Sequence, residues 1–551
     1  MRRAVLAAGL GGLKRYGPDL AIIVCLSIAS LWVRRLTLWD IECGGDAVRK
    51  WFFVKQWFYA NSFHDIEWNH HLARFGINIW AFVSQLIWGN SPEVYYVAPV
   101  AAATAAVVFT YKLGQELGGR WAGLIAALWL LTLEPMERAG SQLLPEGFSA
   151  AYMAGALYFL LWYVRYRGAA RIRLALLLIT GLFTFFGYLA KMQNLLFVPG
   201  MLVAIWLYGS HRRDLLIFSG LLLGCYLIET AWYAIFTEHL TRFEIVDASH
   251  QGGTVKNVTR SVARARGAGG GGGGGAIRDK SLDFMALFWK LLERYNVLWE
   301  SIKFPLYLSL GASLALAVFA RQTPARAMAL VLFGYLFFAT FAIRQLSPIK
   351  LWMSKEPRYF VVLCPLILAV NAAFFVEIVR RFRTAVSARL QRGFVPFQSR
   401  FVPLWALVLC FSIGWHYYGE HGRQALKRDF PLKEVRKRKA WFENAYQRGL
   451  PITQRASREK KALRAIWSMY LSDDLLVVDG KLPSFEDSVK RLDGRYDWLS
   501  KDPERYRRDA LSKVRRGLKC AYVTHVRGRF LQVQPKRRLP DDCKAVPGGE
   551  G

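Results

Sequence analysis

Cysteine is scarce and badly placed for a disulfide scaffold, with seven in 551 residues. Cys25, Cys225, Cys364 and Cys410 lie inside apolar runs, where a thiol packs as a small hydrophobe, and only Cys43, Cys520 and Cys543 lie in polar sequence. No disulfide framework is implied. Zinc-finger spacing and interleaved basic and aromatic RNA-binding motifs are also missing, so the formal net charge of +34 does not point to nucleic acid. There is no clear internal repeat, which argues against transporters built from repeated halves. Amphipathic stripes of period 3.6, which a large soluble helical protein would need, are missing too.

What the chain has is apolar runs of about 15 to 22 residues, long enough to cross a bilayer, separated by short basic links. With 54% hydrophobic and 15% aromatic residues, it reads as an all-α polytopic membrane protein. Spans are expected at Leu20–Val33, Pro92–Leu113, Trp121–Leu133, Phe148–Val164, Leu174–Leu189, Leu195–Tyr208, Leu215–Phe236, Phe304–Ala320, Met328–Ile343, Tyr359–Val379 and Val402–Trp415, about eleven in all. Even-numbered spans end at basic links such as Arg165, Arg167, Arg171 and Arg173, or Arg380, Arg381 and Arg383. The positive-inside rule places those links in the cytoplasm and the acidic links outside. The basic start reads as a retained anchor, because Arg34 and Arg35 follow the first span directly; a cleaved signal peptide is the alternative.

Residues 1–418 therefore form a membrane domain, and 419–551 a basic soluble tail. Strand-like runs at Leu475–Val478, Ala521–Val526 and Phe530–Val533 make that tail a small α+β domain. Long domains translocate despite their charge, so it is expected outside the membrane, where Cys520 and Cys543 would be free to pair. The outside loop 237–301 carries an unbroken run from Gly269 to Gly275 without a Walker lysine, and reads as a flexible linker or flap.

Four outside ends carry the chemistry. The first loop, 39–91, opens with Asp40, Glu42 and Asp46. Glu134, Glu137, Arg138 and Glu146 stand between spans 3 and 4, and Lys191, Gln193 and Asn194 between spans 5 and 6. Arg344, Lys350, Lys355, Arg358 and Tyr359 stand between spans 9 and 10. Each alone would pass for a solvated link with snorkelling cations. Acids and cations gathered on one face suit a base for a polar substrate and cations for an anion. On a helix His64, Glu67 and His71 would share one face, a spacing open to a metal ion, though no complete zinc motif is present. An interfacial helix with Trp57, Phe58, Trp68 and Trp80 at headgroup level is the simpler reading.

Gly119-Arg120-Trp121-Ala122-Gly123 between spans 2 and 3, Pro145-Glu146 opening span 4, Ala190-Lys191 closing span 5 and Arg358-Tyr359 opening a late span follow Asp46 in order. This ordered set resembles the GT-C membrane glycosyltransferases, of the protein O-mannosyltransferase and aminoarabinose-transferase-like kind. The resemblance implies a GT-C-like fold and inverting transfer of a sugar from a polyprenyl-phosphate donor. The acceptor would be a glycolipid, polysaccharide or protein of the cell envelope on the periplasmic face of a bacterial inner membrane. An anionic acceptor would suit the basic tail, although attraction to membrane lipids explains that charge equally well. Asp46 would be the base, with Asp40 and Glu42 as alternatives, because Gly45 stands where relatives pair two acids. Glu146 would position it or bind sugar hydroxyls. Lys191, Arg358 and Tyr359, with Lys355 and Arg344, would meet the donor phosphate, and a divalent metal ion is left open as cofactor. A transporter or flippase for a lipid-linked or anionic substrate is the other reading.

Overall fold

The computed structural model describes residues 2–38, 46–54, 57, 68, 70–89, 91–209, 211–237, 239–245, 300–319, 323–341, 343–346, 349–351 and 357–390, together with four short strands of the tail. The helices are α1 (Arg2–Leu36), α2 (Asp46–Val54), α3 (Phe75–Trp88), α4 (Val97–Gly118), α5 (Arg120–Leu131), α6 (Glu134–Ala139), α7 (Pro145–Arg165), α8 (Ala170–Ala190), α9 (Val198–Tyr208), α10 (Arg212–Phe236), α11 (Glu300–Phe319), α12 (Thr323–Phe341) and α13 (Cys364–Leu390). Two 3-10 segments, Met192–Phe197 and Pro357–Leu363, precede α9 and α13. An antiparallel hairpin, β1 (Ile343–Leu346) and β2 (Ile349–Leu351), follows α12.

Five helical stretches are long and apolar enough to cross a membrane: Glu93–Gly118, Pro145–Arg165, Ala170–Ala190, Arg212–Phe236 and Phe360–Phe382. In α10 only 11% of the apolar window is buried inside the protein, and Leu216 and Ile228 are among its exposed side chains. A helix apolar all round and left uncovered faces lipid rather than water. The chain is an integral membrane protein.

Two expected spans gain detail. Span 3, expected over Trp121–Leu133, is α5; at 12 residues it rises about 18 Å, against a hydrocarbon core of about 30 Å. The chain breaks at Thr132 and Leu133 and re-forms as α6, so Glu137 is buried rather than solvated. Span 6 is divided. Pro199 fits the first turn of an α-helix, and α9 starts there after the 3-10 stretch. Span 11, Val402–Trp415, lies outside the described residues, as does the glycine run of the 237–301 loop. Of the tail, strands β3 (Ile452–Gln454), β4 (Val478–Asp479), β5 (Tyr522–Arg527) and β6 (Phe530–Gln534) pair in the order β4-β3-β5-β6.

The Gly-Arg-x-Ala-Gly turn has a structural cause. Gly119 takes φ +88°, a left-handed value that suits glycine, and reverses the chain between α4 and α5. A Cβ on Gly123 would collide with the carbonyl oxygen of Tyr111, and one on Gly114 would lie 2.9 Å from the oxygen of Ala122. The two helices touch backbone to backbone, as small residues permit in membrane helix pairs. Gly123→Ala is therefore expected to cost about 1–3 kcal/mol, by overpacking a contact with no slack. Gly220→Ala in α10, where a Cβ meets nothing within 4 Å, is expected to leave thermal stability in detergent unchanged or raised. Equal melting temperatures for the two variants would refute the close-contact account.

Arg120 closes the same turn onto α1, its Nε donating to Asp19 Oδ1 at 2.5 Å, while Gln115 Nε2 donates to Oδ2 at 3.0 Å. Asp19 stands one residue before the apolar run that starts at Leu20. Burial alone would raise its carboxyl, but the bonds from Gln115 and Arg120 outweigh it and hold the group below the ordinary carboxylate value. A depressed folded value stabilises above the ordinary value of 3.8 and ceases to do so as pH falls through the folded one. Asp19→Asn is thus expected to melt below wild type at pH 7, with the gap closing under about pH 4. A gap independent of pH would show that charge is not the cause.

Candidate active site

At the start of α7 and the end of α8 the central feature is one buried ion pair. Lys191 Nζ lies 2.7 Å from Glu146 Oε1, and the two side chains are 9% and 4% exposed. Glu146 sits in the first turn of α7, just after Pro145, where an acid complements the helix dipole. Lys191 caps the C-terminal end of α8 in extended backbone, its own N–H bonded to Gly187 O. Two further donors close that helix end. Asn194 Nδ2 donates to Gly187 O at 2.7 Å, and Arg242 Nη1 donates to Tyr188 O at 2.7 Å. The C-terminal carbonyls are thereby satisfied without freeing the lysine backbone.

The first loop reaches this pair through backbone contact. A Cβ on Gly76, at the start of α3, would lie 2.5 Å from Ala190 N, so α3 begins against the residue preceding Lys191. Tyr152, on α7, donates to Gly76 O at 3.0 Å. Just before α3, Asn78 Nδ2 donates to His71 O and Leu72 O at 2.7 and 2.9 Å, fixing the turn that carries His71. His71 Nε2 then meets Asp46 Oδ1 at 3.7 Å; the histidine is buried, whereas Asp46 is 40% exposed. Asp46 opens α2, and Lys50 Nζ donates to its carbonyl at 3.0 Å. From α2 a second route returns to Glu146. The ring of Trp51 meets Tyr95 edge-on at 5.6 Å, and Tyr95 OH donates to Gln142 Oε1 at 2.8 Å, four residues before Glu146.

Of the residues singled out from sequence, Glu146 and Lys191 meet each other, while Asp46 meets His71. Arg358 and Tyr359 lie on the 3-10 segment Pro357–Leu363, which packs against α7. Arg344 and Lys350 lie on β1 and β2. Asp40, Glu42, His64, Glu67 and Lys355 lie outside the described residues. Among the described residues no group of three His, Cys, Asp or Glu is placed to hold a metal ion; His71, expected with His64 and Glu67, turns to Asp46.

Among the described residues, sequence reading missed three buried cations: Lys50, whose ammonium bonds the Asp46 carbonyl, Arg34 and Arg242. Arg34, expected at the interface, is fully buried and donates to Leu131 O at 3.5 Å. Arg242 is buried over the Tyr188 ring, 5.2 Å from its centroid. Nothing in their local sequence separates them from topology-holding arginines.

No protein-family model matches the chain, and no curated sequence matches it. Solved structures do. The oligosaccharyltransferase from Archaeoglobus fulgidus, tethered with an acceptor peptide, is 12% identical with a TM-score of 0.51, over 95% of this chain and 74% of that one. In complex with Zn and sulfate it gives 12% and 0.50, over 91% and 68%. In complex with an inhibitory peptide and a dolichol-phosphate, as AglB, it gives 12% and 0.49, and the 83% of this chain that matches spans only 64% of its length. ArnT from Cupriavidus metallidurans bound to undecaprenyl phosphate gives 13% and 0.47, over 92% and 93%. The likeness to the oligosaccharyltransferase is one of fold.

Proposed function

We propose that the protein is an inverting membrane glycosyltransferase that moves a sugar from a polyprenyl-phosphate donor to a cell-envelope acceptor at the outer face of the membrane. The observation that carries this reading is the buried Glu146–Lys191 pair, 2.7 Å apart, beside α3, whose Gly76 abuts Ala190 and whose Asn78 holds the turn that brings His71 to Asp46. A GT-C fold alone would not name a reaction; the groups held at its outer ends do. Asp46, half-exposed at the start of α2, removes the proton of the acceptor hydroxyl as it attacks the anomeric carbon. His71 positions that carboxylate. The bond from the anomeric carbon to the phosphate oxygen breaks, and charge grows on the lipid phosphate. Lys191, with Arg358, Tyr359, Lys355 and Arg344 on the neighbouring outside link, stabilises that charge. Glu146 holds Lys191 in place for the leaving phosphate.

The oligosaccharyltransferase neighbour takes a peptide acceptor and was crystallised with Zn and sulfate. Among the described residues no group of three His, Cys, Asp or Glu is placed to hold a divalent ion; Asp40, Glu42, His64 and Glu67 lie outside them. The acceptor is read as a component of a bacterial envelope facing the periplasm. Residues 419–551 are read as a basic outer domain beside it, which suits an anionic acceptor.

Purified protein supplied with radiolabelled polyprenyl-phosphate sugar and envelope extracts is expected to release free polyprenyl phosphate and a product of inverted anomeric configuration. Movement of the carrier across proteoliposomes without transfer would replace this reading with a flippase.

A further inference from the structure

The C-terminal end of α10 holds two buried charges that the transfer chemistry does not use. Most of α10 is uncovered, but Glu229 and Tyr233 near its end are buried. A carboxylate buried within a membrane-spanning helix calls for a partner. Among the described residues neither oxygen of Glu229 accepts a hydrogen bond, and its neighbouring cation is Arg242, buried on the turn that follows the helix. That turn is tied down locally. Thr237 Oγ1 donates to Tyr233 O at 2.7 Å and accepts from His239 N at 3.0 Å, and Leu240 N donates to Glu244 Oε2 at 2.8 Å. Tyr233 OH donates to Ala73 O at 3.3 Å, which joins the same end to the first loop. From this frame Arg242 grips Tyr188 twice. Its Nη1 donates to the Tyr188 carbonyl at 2.7 Å, and its guanidinium lies 5.2 Å from the centroid of the same residue's ring.

We infer that Arg242 is a positioning residue for transfer: its double grip on Tyr188 fixes the last turn of α8 and, through that turn, the ammonium of Lys191 three residues on. Closing a carbonyl does not by itself call for a cation. Asn194 closes the neighbouring carbonyl of Gly187 with a neutral amide at 2.7 Å. A guanidinium is far more costly than an amide to bury. What it adds is a planar group that holds the carbonyl and the ring of one residue together, so that the turn resists both unwinding and rotation. A cation is also favoured at a helix C-terminus. Lys191 depends on that turn, because its own N–H bonds Gly187 O while its Nζ must meet Glu146 Oε1 at 2.7 Å. A reacting group displaced by about 1 Å can lose about 10²-fold in rate. The contact stands on the structure alone, whereas its effect on rate rests on the transferase reading.

Full-length protein in detergent is assayed with radiolabelled polyprenyl-phosphate sugar and envelope extracts, and its amide exchange is followed over residues 188–194. Arg242→Met keeps an apolar stem but donates nothing; it is expected to lower kcat about 10–100-fold, with the donor KM within about twofold of wild type. Arg242→Lys, which keeps a donor, is expected to recover most of that rate. In the background Glu146→Gln with Lys191→Met no ammonium remains to be held, so Arg242→Met is expected to cost less than about threefold further. A purely structural role would cost the same in both backgrounds. Exchange over 188–194 is expected to rise about tenfold in Arg242→Met while that of α4 stays unchanged. Equal rate losses in the two backgrounds, a raised KM at unchanged kcat, or unchanged exchange would overturn the assignment. A wild type that transfers no sugar would remove the transferase reading alone, since exchange still decides whether Arg242 holds Lys191. Should Arg242→Met not give monodisperse protein, Arg242→Met with Glu229→Gln, which strands no buried charge, carries both tests.

Discussion

Asp46→Asn is expected to lower sugar transfer by about 10²–10⁴-fold while leaving donor binding and thermal stability close to wild type. The substitution keeps shape and helix-start preference, since asparagine serves at a helix start as well as aspartate, and removes only the ability to take a proton. Asp46 is 40% exposed, so the change leaves no buried charge stranded. His71→Gln separates positioning from chemistry. Its ring lies 3.7 Å from the carboxylate, and its loss is expected to lower transfer less than Asp46→Asn does and to shift the pH–rate profile rather than abolish it. Wild-type rates for Asp46→Asn, with loss for Asp40→Asn or Glu42→Gln, would move the base to one of those acids. Retained rates in all three would remove general-base catalysis by this loop.

The second large effect belongs to the buried pair. Glu146→Gln or Lys191→Met alone is expected to destabilise by about 3–5 kcal/mol, because each leaves a charge buried without its counter-ion. The double variant is expected to recover much of that loss, as buried pairs replaced by neutral groups usually do. Transfer should not recover, since the lysine charge that meets the leaving phosphate is gone. Melting temperature and transfer rate measured across the four proteins give a cycle in which stability couples strongly and activity does not. Restored transfer in the double variant would show the pair to be structural and nothing more.

Why sequence showed some of this and not the rest can be stated for particular residues. A bilayer imposes its own length scale, so uninterrupted apolar runs such as Arg212–Phe236 declare themselves. Breaks inside a run do not: α5 and α6 read as one span and a solvated link because Thr132 and Leu133 carry no breaker. The Gly119 turn stood out in sequence only as a motif, and only the packing shows that Gly114 and Gly123 bring two backbones into contact.

By itself, then, the sequence determined that the chain lives in a membrane and that Asp46, Glu146 and Lys191 stand at the ends of its apolar segments. Those are local properties, set by hydropathy and by position along each span. Only the tertiary structure decided that Lys191 faces Glu146, that His71 meets Asp46, and that Arg34 is buried. These pairings join residues far apart in the chain. They depend on close contacts such as Gly76 against Ala190, which no spacing along one strand of sequence can express.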